Sequence, residues 1–385
     1  MNSEIKVSVV IVSYNCLPFL TLCIDSLLWY EDKRVEIIVV DNNSNDNTAE
    51  YLNKNYPKVK TIANKDNKGF GAACNQGISI ANGDYLLMLN PDTIVSETLI
   101  DDILFFMENH KNCGGMGVYM ADGKGNFLPE SKRGFPTIFR SFNRFSGLIN
   151  IFPKNRQFAG YYLGHLSKNE INKIEVLSGA FMLFTKEVAE KTKGFDERFF
   201  MYGEDIDLSW RILKNGFENY YNPNIKIIHF KGESSVKDKV YLKNFFGAME
   251  LFHKIHFTKK RDKILRPIVN FFMKIISTLK RIELNFSKKK SHKENSYDFP
   301  ITVISNNHGT IFENIETKFA YPTDNVKNNS TVWIDLANLR PSEAINFAIN
   351  NNDKNLNFIW YNSKTKQLIQ ALSSNENSII QHICI

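Results

Sequence analysis

Cysteine is scarce: five residues, Cys16, Cys23, Cys74, Cys113 and Cys384, scattered with no Cys-x-x-Cys pair. That pattern excludes a thiolate zinc site and a disulfide framework, and makes a reduced cytoplasm the expected compartment. No apolar run reaches the roughly 18 residues that suggest a membrane span. The N-terminus, with Glu4 and Lys6 before a short apolar strand, has no signal-peptide layout. Basic excess is missing from most of the chain. Residues 257–293 hold twelve Lys/Arg against two acids, a net +10 beside +7 for the whole chain, so everything else sums to −3. A general nucleic-acid-binding protein is disfavoured, and no nucleic-acid partner is expected. What remains is 385 residues, 43% apolar and 23% charged, enough for two domains or one large one.

The most informative stretch is DYLLMLNPD, 84–92. Tyr85 to Leu89 form an apolar run too short for a globular helix, which reads as a strand buried on both faces. Pro91 stops it, so Asp92 falls at the strand's carboxyl end, where open α/β sheets bind ligands. A carboxylate there suits a hard cation, and also suits a turn with Asp92 capping the next helix. Upstream, strands at Val7–Val12, Glu36–Val40 and Val59–Ala63 alternate with helices at Pro18–Tyr30 and Ala72–Ala81. This is the pattern of a doubly wound, parallel α/β sheet. Polar clusters at Ser13-Tyr14-Asn15, at 41–46 and at 90–92 follow the first, second and fourth strands, on one sheet edge.

Residues 131–166 mix four arginines with many aromatics and little periodicity. They read as a long excursion with partial helix, either functional or a bare surface lid. Beyond a strand at Val176–Thr185, GFDERFFMYGEDIDL (194–208) sets acids among aromatics. Such carboxylates have raised pKa values and can act as bases. Glu204, Asp205 and Asp207 equally suit the first turn of a helix over Ile206–Asn215, closed by Gly216. His229, on a strand over Lys226–Phe230, is structural or a ligand.

Seven stretches in order resemble the family 2 inverting glycosyltransferases, which have the GT-A fold. They are VSVVIVSYN, VVDNNSNDNT, NKGFGAACNQGI, LLMLNPDT, LSGAFML, GFDERFFMYGEDIDLSWR and IIHFKGESS, between Val7 and Ser235. The NPDT and FDERFFMYGEDIDL forms are similar to the rhamnosyltransferase branch of surface-polysaccharide assembly. The resemblance implies that Ser13, Tyr14 and Asn15 border the donor base, and that Asp41 binds its base or ribose. Asn67, Lys68 and Gly69 would close over the nucleotide. Asp92 would hold a divalent cation, Mg²⁺ or Mn²⁺, completed by His229, with Asn90 in the first place of the family's DxD motif. Asp205 would be the catalytic base beside Glu204, and Ser178, Gly179 and Ala180 would line the reaction centre. Asn90 leaves fewer charges on the cation than an aspartate would. Lys193 replaces a glycine frequent in the family. The implied reaction is a single inverting displacement from a dTDP- or UDP-sugar, with dTDP-rhamnose the first choice, to a lipid-linked glycan hydroxyl. The absence of a serine or cysteine nucleophile signature agrees with that.

Apolar residues from Ile264 to Phe286 recur every three or four places opposite lysines and arginines, an amphipathic basic helix. It suits docking over 264–290 on the anionic inner face of the cell membrane, or packing on the catalytic domain or a second subunit. The expected division is a glycosyltransferase domain over 1–240, a basic segment and linker over 241–297, and a small α/β domain over 298–385. Strands are expected there at Ile301–Ile304, Thr331–Asp335, Asn357–Trp360 and Ile379–Ile383, and helices at Ser342–Asn350 and Lys364–Leu372. The role of this region is partner binding or self-association into a homodimer.

Overall fold

The computed structural model describes residues 5–29, 32–231, 239–258, 301–306, 317–362, 367–370 and 379–382, with Thr278. The basic amphipathic helix expected over 264–290 lies, that residue apart, outside them. The first half runs β1 (Val7–Ser13), α1 (Leu17–Leu27), β2 (Val35–Asp41), α2 (Thr48–Asn55), β3 (Lys60–Ala63), α3 (Phe70–Ser79), β4 (Tyr85–Leu89), β5 (Thr93–Ile94), α4 (Leu99–Asn109) and β6 (Cys113–Ala121). It continues with α5 (Ile138–Phe145), α6 (Leu148–Ile151), β7 (Asn172–Ile174), β8 (Phe181–Thr185), α7 (Lys186–Thr192), α8 (Glu204–Lys214), β9 (Glu218–His229) and α9 (Lys239–His256). Then follow β10 (Ile301–Ile304), β11 (Thr317–Ala320), β12 (Thr331–Asp335), α10 (Pro341–Asn350), β13 (Asn357–Asn362), β14 (Gln367–Gln370) and β15 (Ile379–His382).

The larger sheet has the order β3-β2-β1-β4-β8-β6-β9-β5, with β7 on β9. β1 sits between β2 and β4, parallel to both, and all seven of its residues are buried. Its Val/Ile-rich sequence, interrupted by Ser8, whose hydroxyl donates to Glu36, suits a strand covered on both faces. Alternation divides it: Val10 and Val12 face one apolar cluster, Val7, Val9 and Ile11 the other. Helix α3 lies so close that a Cβ on Gly77 would fall 2.3 Å from a Val10 methyl carbon, so only glycine fits there. The sheet is mixed rather than wholly parallel, because β8 runs antiparallel between β4 and β6.

The smaller sheet, β11-β10-β12-β13-β14-β15, is parallel through β13 and antiparallel beyond. The helix expected over Lys364–Leu372 is not what forms. Residues 367–370 make β14, which pairs with β13 and β15. A Leu-Ile pair in a short segment carries little helical information, and pairing on both sides decides its state. Asp335 closes β12 as a local staple: it accepts from Ser305 Oγ at 2.9 Å and Asn338 Nδ2 at 2.7 Å.

The two sheets share one apolar core, since Ile304, Val332, Ile334 and Trp360 belong to the same cluster as Val10 and Phe230. Trp360 is fully buried, stacks edge-on against Phe230 at 5.6 Å, and donates its indole N–H to the Gly123 carbonyl at 2.9 Å. Asn362 Nδ2 reaches Asp25 on α1, and Ser342 Oγ reaches Glu97 ahead of α4. Between α1 and the carboxyl ends of β12 and β13 lies a cavity of about 250 Å³. Trp360→Phe keeps most of the ring but strands the Gly123 carbonyl, and should cost about 1–2 kcal/mol. Trp360→Ala should cost about 3–5 kcal/mol. Urea unfolding of both variants checks this, with the larger loss expected for alanine.

Candidate active site

The carboxyl edge of β1, β2 and β4 is held by a network of short polar side chains. Asn42, just past β2, donates its backbone N–H to the Ser13 carbonyl. Its side-chain amide donates to Asn67 Oδ1 at 2.9 Å and to the Gly69 carbonyl at 3.2 Å. Its Oδ1 accepts from the Lys68 N–H at 3.0 Å. Asn15, in the left-handed region at φ 51°, receives the Asn45 N–H and donates its own to Ser44 Oγ. Ser13 is buried with Cys16 beside it, and Tyr14 is partly exposed. Asp41 is buried, which pushes its carboxyl above the usual range even though Ser44 donates to it. The loop 67–69 is thereby fastened over the ends of β1 and β2. Gly69, at φ +84°, would place a Cβ 2.3 Å from the Phe200 carbonyl oxygen, so the crossing of these loops demands glycine. Asn42 was not singled out from sequence; its signal was its place directly after Asp41 in a run of turn formers.

At the end of β4, Asp92 is almost wholly enclosed, and its Oδ1 lies 3.3 Å from His229 Nε2. Residue pairing sets this, because Thr93 on β5 is in register with His229 on β9. Asn90 Nδ2 lies 3.4 Å from the same ring nitrogen. His229 Nδ1 is buried with no hydrogen-bond partner among the described residues. Lys231, immediately beyond, pairs with buried Glu130 at 2.6 Å. Burial would raise that carboxyl, but the ammonium outweighs it and holds it below the usual range.

No group of three or more His, Cys, Asp or Glu that could close around a metal occurs among the described residues. One carboxylate and one imidazole nevertheless fit a cation of the Mg²⁺ class. Such an ion keeps few protein ligands and fills its shell with water and substrate phosphate.

Asp205 lies in the first turn of α8 and is buried. Its Oδ2 accepts from the Gly179 N–H at 3.2 Å and from the Arg133 guanidinium, with which it forms an ion pair. Burial works against charge on Arg133, but Asp205 beside it outweighs that and holds the guanidinium above its usual range. Arg133 belongs to the 131–166 excursion; its pairing across 72 residues had no local signal. Gly179 and Ala180 then link the two acids. Gly179 donates to Asp205, and the Ala180 carbonyl accepts from the Asn90 N–H at 3.0 Å, two residues from Asp92. Ser178 Oγ faces the Ala180 N–H at 3.4 Å.

The other acids of α8 differ. Asp207 is a structural anion, bound by Arg211 Nε at 2.7 Å and His256 Nε2 at 2.6 Å. Glu204 is buried, its Oε2 has no hydrogen-bond partner among the described residues, and burial with Asp205 beside it pushes its carboxyl up to about 8. Cys16 and Cys23 are buried thiols pushed up to about 12, so neither is a thiolate nucleophile at neutral pH. Because Glu204 binds its proton more tightly folded than unfolded, its contribution to stability is full below about pH 4.5 and is lost as pH rises through about 8. Glu204→Gln should therefore melt increasingly above the parent protein between pH 6 and pH 9. Equal melting temperatures at pH 9 would count against this.

Residues 8–193 match the family model described as "Glycosyl transferase family 2". An N-acetylglucosaminyl-diphospho-decaprenol L-rhamnosyltransferase of Mycobacterium tuberculosis is 29% identical over 241 residues, covering 60% of this chain and 78% of that one. A poly-beta-1,6-N-acetyl-D-glucosamine synthase of Staphylococcus aureus is 29% identical over 198 residues, 51% of this chain and 42% of that one. The crystal structure of S. aureus TarS superposes with a TM-score of 0.44 at 17% identity, over 65% of this chain and 39% of that one. The chain thus spans under half the length of these last two proteins. Residues 8–193 thus match glycosyl transferase family 2, and the chain is a glycosyltransferase of α/β fold with a mixed, mostly parallel sheet.

Proposed function

We propose that the protein transfers a sugar, with inversion, from a nucleoside diphosphate donor to a hydroxyl of a lipid-linked glycan. The observation that carries this is the Gly179–Ala180 link, which holds Asp205 at one end and the Asp92 strand end at the other. Asp205 accepts the proton of the acceptor hydroxyl as that oxygen attacks the anomeric carbon. Arg133 and the Gly179 N–H fix the carboxylate's orientation. Asp92 and His229, with Asn90 beside them, would hold Mg²⁺ or Mn²⁺, which when bound neutralises charge building on the departing diphosphate. Ser13, Tyr14, Asn15 and Asp41 receive the nucleoside, while Asn67, Lys68 and Gly69 lie over it. Glu204, protonated at neutral pH, adds no second negative charge beside the base. Donor and acceptor aligned on one rigid edge supply the rest of the rate.

L-rhamnose from a dTDP donor is the first choice of sugar, supported by a mycobacterial relative covering 60% of this chain that is named an N-acetylglucosaminyl-diphospho-decaprenol L-rhamnosyltransferase. Donor hydrolysis measured across dTDP- and UDP-sugars tests this, with the highest turnover expected for dTDP-rhamnose. Hydrolysis of none would set aside the catalytic reading, and preference for a UDP-hexose would replace the sugar. Asp205→Asn should lower transfer by about 10²–10⁴-fold, the share typical of a positioned acid–base group. It should leave donor affinity largely intact, so near-normal turnover would remove Asp205 from the role. Asp92→Ala should weaken donor binding in Mg²⁺ or Mn²⁺ but not in chelator. Calorimetry showing unchanged affinity with metal would count against it.

A further inference from the structure

Among its described side chains, the short helix α5 turns apolar residues outward and polar ones inward. A helix on a water-exposed surface turns its apolar side chains inward and its polar ones outward. Here Asn143 and Ser141 are 0% and 7% exposed, whereas Phe139 and Phe142 are 53% and 48% exposed. Ser141 Oγ and Asn143 Oδ1 are buried without a hydrogen-bond partner among the described residues, a cost water-facing rotation would relieve. The next turn repeats the pattern, with Ile151 at 66% and Phe152 at 46%. Phe158 gathers Phe139 and Phe152 around it at 6.3 and 5.2 Å. The result is an aromatic patch rather than scattered single residues.

The charge around this patch has one sign. Residues 131–166 contain six Lys/Arg and no Asp or Glu, and Lys154 and Arg156 are exposed beside Phe152. The inner side of the same excursion is pinned firmly. Phe135 packs on Trp210 and Phe252, Arg140 pairs with Glu175, and Pro136 accepts from His253 Nε2 at 2.9 Å. Arg133 then runs from the excursion to Asp205.

We propose that α5 and α6 form a membrane-contacting lip, at which Phe139, Phe142, Ile151 and Phe152 enter the interface of an anionic bilayer while Lys154 and Arg156 meet its headgroups. Charge selects this occupant. The basic segment over 257–293 and a second copy's lip both carry the same sign and would be repelled, whereas anionic lipid complements both the apolar face and its cationic rim. This contact is separate from the basic segment and needs no sugar chemistry, so it stands or falls apart from the proposed reaction.

The four cysteines among the described residues are buried, so with Cys384→Ser an environment-sensitive fluorophore can be placed selectively on the full chain. Probes at Phe139→Cys and Ile151→Cys should shift to the blue with phosphatidylglycerol vesicles and be quenched by lipid carrying a spin label in its acyl chain. A probe at Ile80→Cys, exposed on the catalytic sheet's α3 side, should do neither. Combined Ile151→Ser and Phe152→Ser should weaken sedimentation with those vesicles by about tenfold. Lys154→Glu with Arg156→Glu should remove the preference of the 139 and 151 probes' blue shift for phosphatidylglycerol over phosphatidylcholine vesicles. Unshifted probes at 139 and 151 while the chain still sediments with vesicles would overturn the proposal. So would a blue shift without vesicles in a sample of dimer mass, which would assign the patch to a second copy.

Discussion

The buried ion pair between Arg133 and Asp205 connects the parts of this molecule that sequence leaves separate. A charge-assisted pair away from water is strong only when its geometry is fixed. Here the fixing comes from three directions. The first turn of α8 orients Asp205, the Gly179 N–H donates to the oxygen that meets Arg133, and the Leu177 carbonyl accepts from the guanidinium at 2.7 Å. Loss of any of these would leave an enclosed charge partly compensated. The pair therefore couples the shape of the 131–166 excursion to the orientation of the Asp205 carboxylate.

The acids of α8 show how environment separates identical chemistry. Three carboxylates lie within four residues, and each meets a different fate. Asp207 is consumed by Arg211 and His256, Glu204 is left proton-bound by desolvation, and Asp205 faces Gly179 and Arg133. Composition shows only an acidic helix start, which the helix dipole favours in any case. The difference arises from tertiary neighbours, one of them on α9 and another in the excursion.

Much of the catalytic sheet was legible because its signals are local. The apolar runs of β1, β2 and β4 and the polar residues ending them fix both strand and edge, and β4 spans the residues its run predicts. The bounds of α8 differ by two residues at its start, where Glu204 and Asp205 enter the helix rather than precede it. The antiparallel insertion of β8 was not legible, since strand direction leaves no mark on a five-residue apolar run. Nor was β14, where pairing outranked propensity. Within the site, Asp92, His229 and Asp205 stood out by motif. Arg133, Asn42 and the Glu130–Lys231 pair did not, because their partners are distant in sequence or because asparagine in a loop is unremarkable. The apolar surface of α5 escaped for a related reason: periodicity reports which residues share a face, not which way that face turns.

Trp360 bears on the larger sheet through Phe230 and through the Gly123 carbonyl. It packs on Phe230, whose N–H is bonded to the Asp92 carbonyl and which follows His229 directly. The far sheet is thus a buttress behind Asp92 and His229, not an appendage tethered to them. Exchange of such tails between related transferases would fail as a simple cut and join. The indole, the phenylalanine and the Gly123 turn would have to travel together.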